Sequence, residues 1–165
     1  MRETLVTFFA DHASWIVWTH VTGAALWVGT YVAVWLILQA LLSSGLEPVM
    51  QVRLTQTVLG RMLKLLLPIV IIVAATAMVM AVGLGFKNGA PDLYRIVHVK
   101  EALWTVMAIV YGVMALMLKS SRKAMVVGAE TKAVKKLGIV FAYLIPLSVF
   151  IGLGSMFAGV VLRGY

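Results

Sequence analysis

ASWIVWTHVTGAALWVGTYVAVWLILQALLSSGL, residues 13–46, runs for 34 positions without an Asp, Glu, Lys or Arg. A hydrocarbon core of roughly 30 Å is crossed by about 20 helical residues, so this stretch alone predicts a transmembrane helix. Three more uncharged runs follow: Leu65–Phe86 (22 residues), Ala102–Leu118 (17) and Leu137–Leu162 (26). The third covers only about 26 Å at 1.5 Å per residue, so its helix must borrow residues from Leu93–Glu101. Strands that cross a membrane would show alternating segments of about ten residues, and none is visible. The expected helices are approximately 13–42, 60–86, 93–118 and 134–162, forming one transmembrane domain over residues 1–165.

Composition agrees. Hydrophobic residues make up 62% of the 165 and charged ones 12%, and the mean hydropathy is +1.02; a soluble domain of this size runs nearer 45–50% apolar and about 25% charged. No compact globule hides that much apolar surface, so membrane lipid is the expected solvent. The breaks at Ser43-Ser44-Gly45, Gly89-Ala90-Pro91 and Gly128–Thr131 leave only short connections, which predict an all-α, integral membrane four-helix bundle with up-down-up-down topology.

Orientation is read from Lys and Arg. The segments after helices one and three carry Arg53, Arg61, Lys64, Lys119, Arg122, Lys123, Lys132, Lys135 and Lys136; the other side has Arg2, Lys87, Arg95, Lys100 and Arg163. Nine against five places the richer side in the cytoplasm and both termini in the extracytoplasmic space, as in a multi-pass protein of a plasma membrane, in particular a prokaryotic inner membrane. The net charge of +8 is then a topology signal, and no nucleic-acid partner is expected. Cysteine is absent, which removes disulfides and thiolate metal sites.

Ionisable groups within a membrane are costly and therefore candidates for function. Here they are His20, His98, Lys100 and Glu101, with Arg95 at the margin. Trp15 and Trp18 mark an aromatic belt that sets His20 about one turn below the outer surface, and the short third run sets His98 at a similar depth. Two histidines at one level on different helices are expected to clamp haem b, one per chain, with His20 and His98 as iron ligands. Gly23 leaves space for the ring, Trp27 follows His20 on the same helical face, and Arg95, on the face of His98, is placed for a haem propionate. Each has a plainer reading: a hydrogen-bonding histidine, a core aromatic, an arginine reaching headgroups. Ten methionines would suit Cu(I) but are scattered, and lipid-phase packing accounts for them.

The segment Trp18-Thr-His20-Val-Thr-Gly-Ala-Ala-Leu-Trp27-Val-Gly29 resembles the first helix of the CopD-like and HemJ-type membrane protein superfamily, and Val97-His98-Val99-Lys100-Glu101-Ala102-Leu103 is similar to its third-helix motif. The match covers the outer halves of two helices. The resemblance implies a four-helix membrane fold. For HemJ-type members it implies protoporphyrinogen oxidase activity with haem b held by His20 and Lys100; for CopD-like members it implies copper transport. Ligand chemistry favours His98 over Lys100, because a neutral imidazole needs no deprotonation. The expected function is electron transfer by a haem b cytochrome near the outer face, with quinone or a redox subunit as partner and the chain a homo-oligomer or part of a complex. The alternatives are the oxidase, copper transport, or a structural membrane subunit.

Overall fold

The computed structural model describes residues 2–86 and 91–163 and is all-helical. Helix α1 is Arg2–Leu42, α2 is Pro48–Gly83 and α3 is Pro91–Val126. A fourth rod consists of α4 (Glu130–Ile139), a π-helical turn at Val140–Leu144, and α5 (Ile145–Arg163). The four rods are long and apolar enough to cross a membrane. The connection expected at Gly89-Ala90, with Lys87, lies outside the described residues.

The helices overrun the uncharged stretches, most of all where α1 continues back to Arg2 and α2 begins at Pro48. Charge marks where lipid ends; it does not stop backbone hydrogen bonding. Local chemistry does. Pro48 occupies the first turn of α2, where its missing N–H costs nothing. At the end of α3, Gly128 takes φ 71°, and the Ala129 N–H reaches the Ala124 carbonyl at 2.8 Å while Gly128 N–H reaches Met125 at 3.3 Å. That pair of bonds is the Schellman closure, which favours glycine at the left-handed position. Helix α1 kinks at His12, whose φ/ψ of −125°/16° is not helical.

Neighbouring rods run antiparallel. Phe9 lies over Gly83, and Val73 over Gly23, between α1 and α2; Tyr111 donates to the Leu63 carbonyl between α3 and α2 (2.7 Å); Val28 lies over Gly152 between α1 and α5. Helices α1 and α3 sit across the core from each other, each packed on α5. The buried stripe of α1 is Ile16, His20, Gly23, Trp27, Tyr31, Val34 and Leu38, at steps of three and four that keep one face inward. That of α3 is Val97, Lys100, Trp104, Met107, Tyr111, Met114, Leu118 and Ser121, buried or half-buried throughout.

The fourth rod follows the same rule with one break. Ala133, Leu137 and Val140 are buried, then Ile145, Ser148, Gly152 and Ser155. The step from Val140 to Ile145 is five residues. An α-helix would swing the second set off the core by about 100°; the π-turn, in which the Ile145 N–H bonds to the Val140 carbonyl, absorbs the extra residue. Pro146 follows at once, where a missing N–H is tolerated in a turn already out of α-helical register. Outside the bundle the surface is apolar, with Phe150, Phe157, Val160 and Leu116 all about 70% exposed. A surface of that kind suits lipid and not water.

Candidate functional site

His20 is 7% exposed and points into the contact between α1 and α2. Its Nδ1 lies 3.2 Å from the Val73 carbonyl oxygen and 3.0 Å from Thr76 Oγ1. A carbonyl only accepts, and Thr76 spends its own hydroxyl proton on the Ile72 and Val73 carbonyls (2.8 and 3.0 Å). Nδ1 therefore carries the proton, and Nε2 keeps its lone pair. This is how metal-ligating histidines are oriented: one nitrogen donates to a backbone oxygen, leaving the other free to bind.

Close helix packing makes that bond possible. A Cβ on Gly23 would stand 2.6 Å from Val73 Cγ2, so only glycine lets α2 approach far enough for its carbonyl to reach the imidazole. The space expected at Gly23 for a porphyrin is thus filled by Val73, and Gly23 serves the histidine indirectly.

Lys100 and His98 part company. Two residues along a helix rotate about 200°, so one faces the core when the other faces out. Lys100 holds the inward position. It is half-buried, and its Nζ sits where it would be 3.1 Å from a Cβ on Gly159. The levels agree. From the Val28–Gly152 contact, eight residues back along α1 reach His20, and seven forward along α5 reach Gly159. His98 is exposed, its ring 4.1 Å from that of Tyr94 and its Nδ1 3.2 Å from the Tyr94 carbonyl. Arg95 shares that outer face. It is 81% exposed and 3.7 Å from Asp92. The structure does not bring His98 or Arg95 to His20.

Trp27 is buried and meets Trp104 edge to face at 5.1 Å, which forms an aromatic floor one to two turns below His20. Beyond Leu66, the only buried residue of α2 is Val73, which faces α1. The described side-chain contacts of α2 with α3 lie in the other half: Tyr111 on Leu63, Arg122 on the Gln56 carbonyl (3.2 Å), and Gln56 on Ser121 (2.9 Å).

Among the described residues no three His, Cys, Asp or Glu side chains gather to hold a bare metal ion. Haem asks less, since the porphyrin supplies four nitrogens and the protein only axial donors. A histidine anchored through Nδ1 and a lysine turned inward at the same level over Gly159 fit that donor requirement; His20 with the exposed His98 does not. Comparison with protein families, curated proteins and solved structures finds no match for this chain.

Lys100 was within reach of sequence reasoning. Extending the three-and-four step of Leu118, Met114, Tyr111, Met107 and Trp104 backward arrives at Lys100 and Val97, and passes over His98.

Proposed function

We propose that this chain is a multi-pass membrane protein that binds one haem b between His20 Nε2 and Lys100 Nζ and transfers electrons near the extracytoplasmic face. The observation that carries the reading is the anchored His20: its Nδ1–H is held by the Val73 carbonyl and Thr76, while Lys100 takes the inward position at the same level of α3, over Gly159. Held by these two residues, the haem would supply one-electron transfer and would not be open to dioxygen. Lys100 would ligate through its neutral amine, since a ligand nitrogen must give up its extra proton to bind a metal.

The nine cations after the first and third helices, against five on the other side, support an up-down-up-down topology with both termini extracytoplasmic, in a plasma membrane of the prokaryotic inner type. The site then lies in the outer leaflet. That suits an apolar redox partner such as a quinone, or a partner subunit. A second reading, oxidation of protoporphyrinogen, draws on one observation: the two groups the fold turns inward are the two positions that the HemJ-type resemblance implies.

Absorption spectroscopy of the purified, lipid-embedded protein tests the proposal. A Soret band that sharpens and shifts on dithionite reduction is expected, lost or displaced in His20→Ala and in Lys100→Met, and kept in His98→Ala. A colourless protein after addition of excess haem would end the haem reading. An unchanged spectrum in Lys100→Met would end the ligand assignment alone. Oxidation of added protoporphyrinogen by the intact protein would favour the enzyme over the carrier.

A further inference from the structure

At the cation-rich end of the bundle, Arg122 of α3 crosses to α2 and rests on Gly60. Its Nη2 occupies the space that a Cβ on Gly60 would need and donates to the Gln56 carbonyl oxygen at 3.2 Å. That uses one of five N–H donors and holds the guanidinium against α2. Arg122 is exposed all the same, so donors remain open to a ligand.

Two lysines stand at a matching level. Four residues along α2 from Gly60 is Lys64, on nearly the same face; three residues back along α3 from Arg122 is Lys119. The helices are antiparallel, so both steps run the same way, about one turn toward the membrane core. Lys64 and Lys119 are exposed, and each directly adjoins an uncharged run, Leu65–Phe86 and Ala102–Leu118. They therefore mark the edge of the hydrocarbon, the depth of phospholipid headgroups. Nothing acidic offsets them. This end carries only Glu47 and Glu130, and among the described residues neither is ion-paired with any of the three cations. Further in, the Lys64 face turns apolar at Leu67 and Ile71, which are 49% and 59% exposed.

We infer that Arg122, Lys119 and Lys64 bind the phosphate of an anionic phospholipid, with an acyl chain lying against Leu67 and Ile71. A guanidinium gives phosphate paired N–H bonds, and the two ammonium groups add point charges. The occupant is a lipid because the cations sit at headgroup depth and the same α2 face becomes apolar one turn further in. Gly60 is what makes this a site and not merely a basic surface, which attracts anionic lipid without fixing any group. The inference stands apart from the haem reading and holds whether or not haem binds.

The test measures retention of dioleoylphosphatidylglycerol by the whole protein in neutral detergent, by native mass spectrometry, with zwitterionic dioleoylphosphatidylcholine for comparison. Tighter retention of phosphatidylglycerol is expected, and inorganic phosphate should not displace it. Gly60→Ala alters no charge. Its methyl meets the far end of the Arg122 side chain, and otherwise Leu118 at an ordinary 3.8 Å, so the guanidinium is displaced while the fold is kept. Gly60→Ala and Arg122→Gln should each weaken phosphatidylglycerol binding about fivefold or more. Lys64→Gln, which breaks no contact within the protein, should do the same. Lys132→Gln, which removes a cation from α4, should leave binding unchanged. Equal weakening by Arg122→Gln and Lys132→Gln, with none in Gly60→Ala, would overturn the inference in favour of bulk attraction. Equal retention of the two lipids would overturn it outright, and displacement by inorganic phosphate would show an anion site with no part for the acyl chain.

Discussion

Replacing Gly23 by alanine adds a single methyl group, and the structure says where it goes. The new Cβ would stand 2.6 Å from Val73 Cγ2, against the 3.5–4.0 Å at which carbon atoms rest. About an ångström must be found. Val73 is 1% exposed and has no free direction in which to swing, so α1 and α2 must part. Overpacking of this kind costs about 1–3 kcal/mol. Exchanging glycine for alanine inside a helix returns about 0.5–1 kcal/mol, which leaves a net loss of about 0–2.5 kcal/mol by difference. Parting the helices also lengthens both bonds to His20 Nδ1, now 3.2 and 3.0 Å.

Unfolding in lipid nanodiscs, followed by steric trapping, measures the change. Gly29 supplies the control, because a Cβ there meets nothing within 4 Å; Gly29→Ala should stabilise by about 0.5–1 kcal/mol through helix propensity alone. The decisive comparison is the double variant. Val73→Ala removes the colliding methyl, so Gly23→Ala made in that background should lose its penalty, with a coupling of about 1 kcal/mol or more. If Gly23→Ala proves as benign as Gly29→Ala, or if the two changes simply add, the close approach of α2 to His20 is not what the glycine provides.

Other outcomes follow from the same geometry. Ser121→Val should cost about 1–3 kcal/mol, because it leaves the buried Gln56 amide without the acceptor it holds at 2.9 Å; chemical denaturation of Ser121→Val with and without Gln56→Leu should show the loss largely recovered in the double variant. Gly159→Leu should drive the Lys100 amine from its seat and, on the proposed function, alter the Soret band as Lys100→Met does, while Val160→Leu on the exposed neighbour leaves the spectrum unchanged. Deleting Tyr143, which is exposed within the π-turn, should restore a plain α-helix with the stripe still inward and shift stability by no more than about 1 kcal/mol, since exposed changes clear of the core are usually small. Deleting the equally exposed Phe157 should instead rotate the rest of α5 by about 100° and lower the melting temperature clearly.

The four spans were legible because lipid imposes one requirement, length without charge, and charge-free runs report it directly. The helix ends were less so. Arg53, Lys119 and Lys132 all lie within helices, since a helix that leaves the bilayer has no reason to stop at its first charge; the true stops were written in Pro48 and Gly128. The π-turn was illegible by composition, because Val140-Phe-Ala-Tyr-Leu144 reads as ordinary apolar helix. Its only trace is the slip of one residue between the stripe ending at Val140 and the one beginning at Ile145, and that slip is seen only once the core-facing side of each half is known.

The second candidate ligand turned on a similar question of phase. Depth along the chain cannot separate His98 from Lys100, because two residues amount to about 3 Å of rise. Ligand chemistry prefers the imidazole. What separates them is rotation, and rotation is fixed far from the site, by Met107, Met114 and Leu118, which are buried in the core. A helix is rigid enough to carry that constraint four turns upward, so the packing of the far half leaves Lys100 inside and His98 outside regardless of which would bind iron better. The same rigidity means that one residue inserted in α3 between Trp104 and Met107 would rotate the upper segment by about 100° and take Lys100 off the seam. If that insertion left Lys100-dependent haem absorption intact, the seam would not be what aims the lysine.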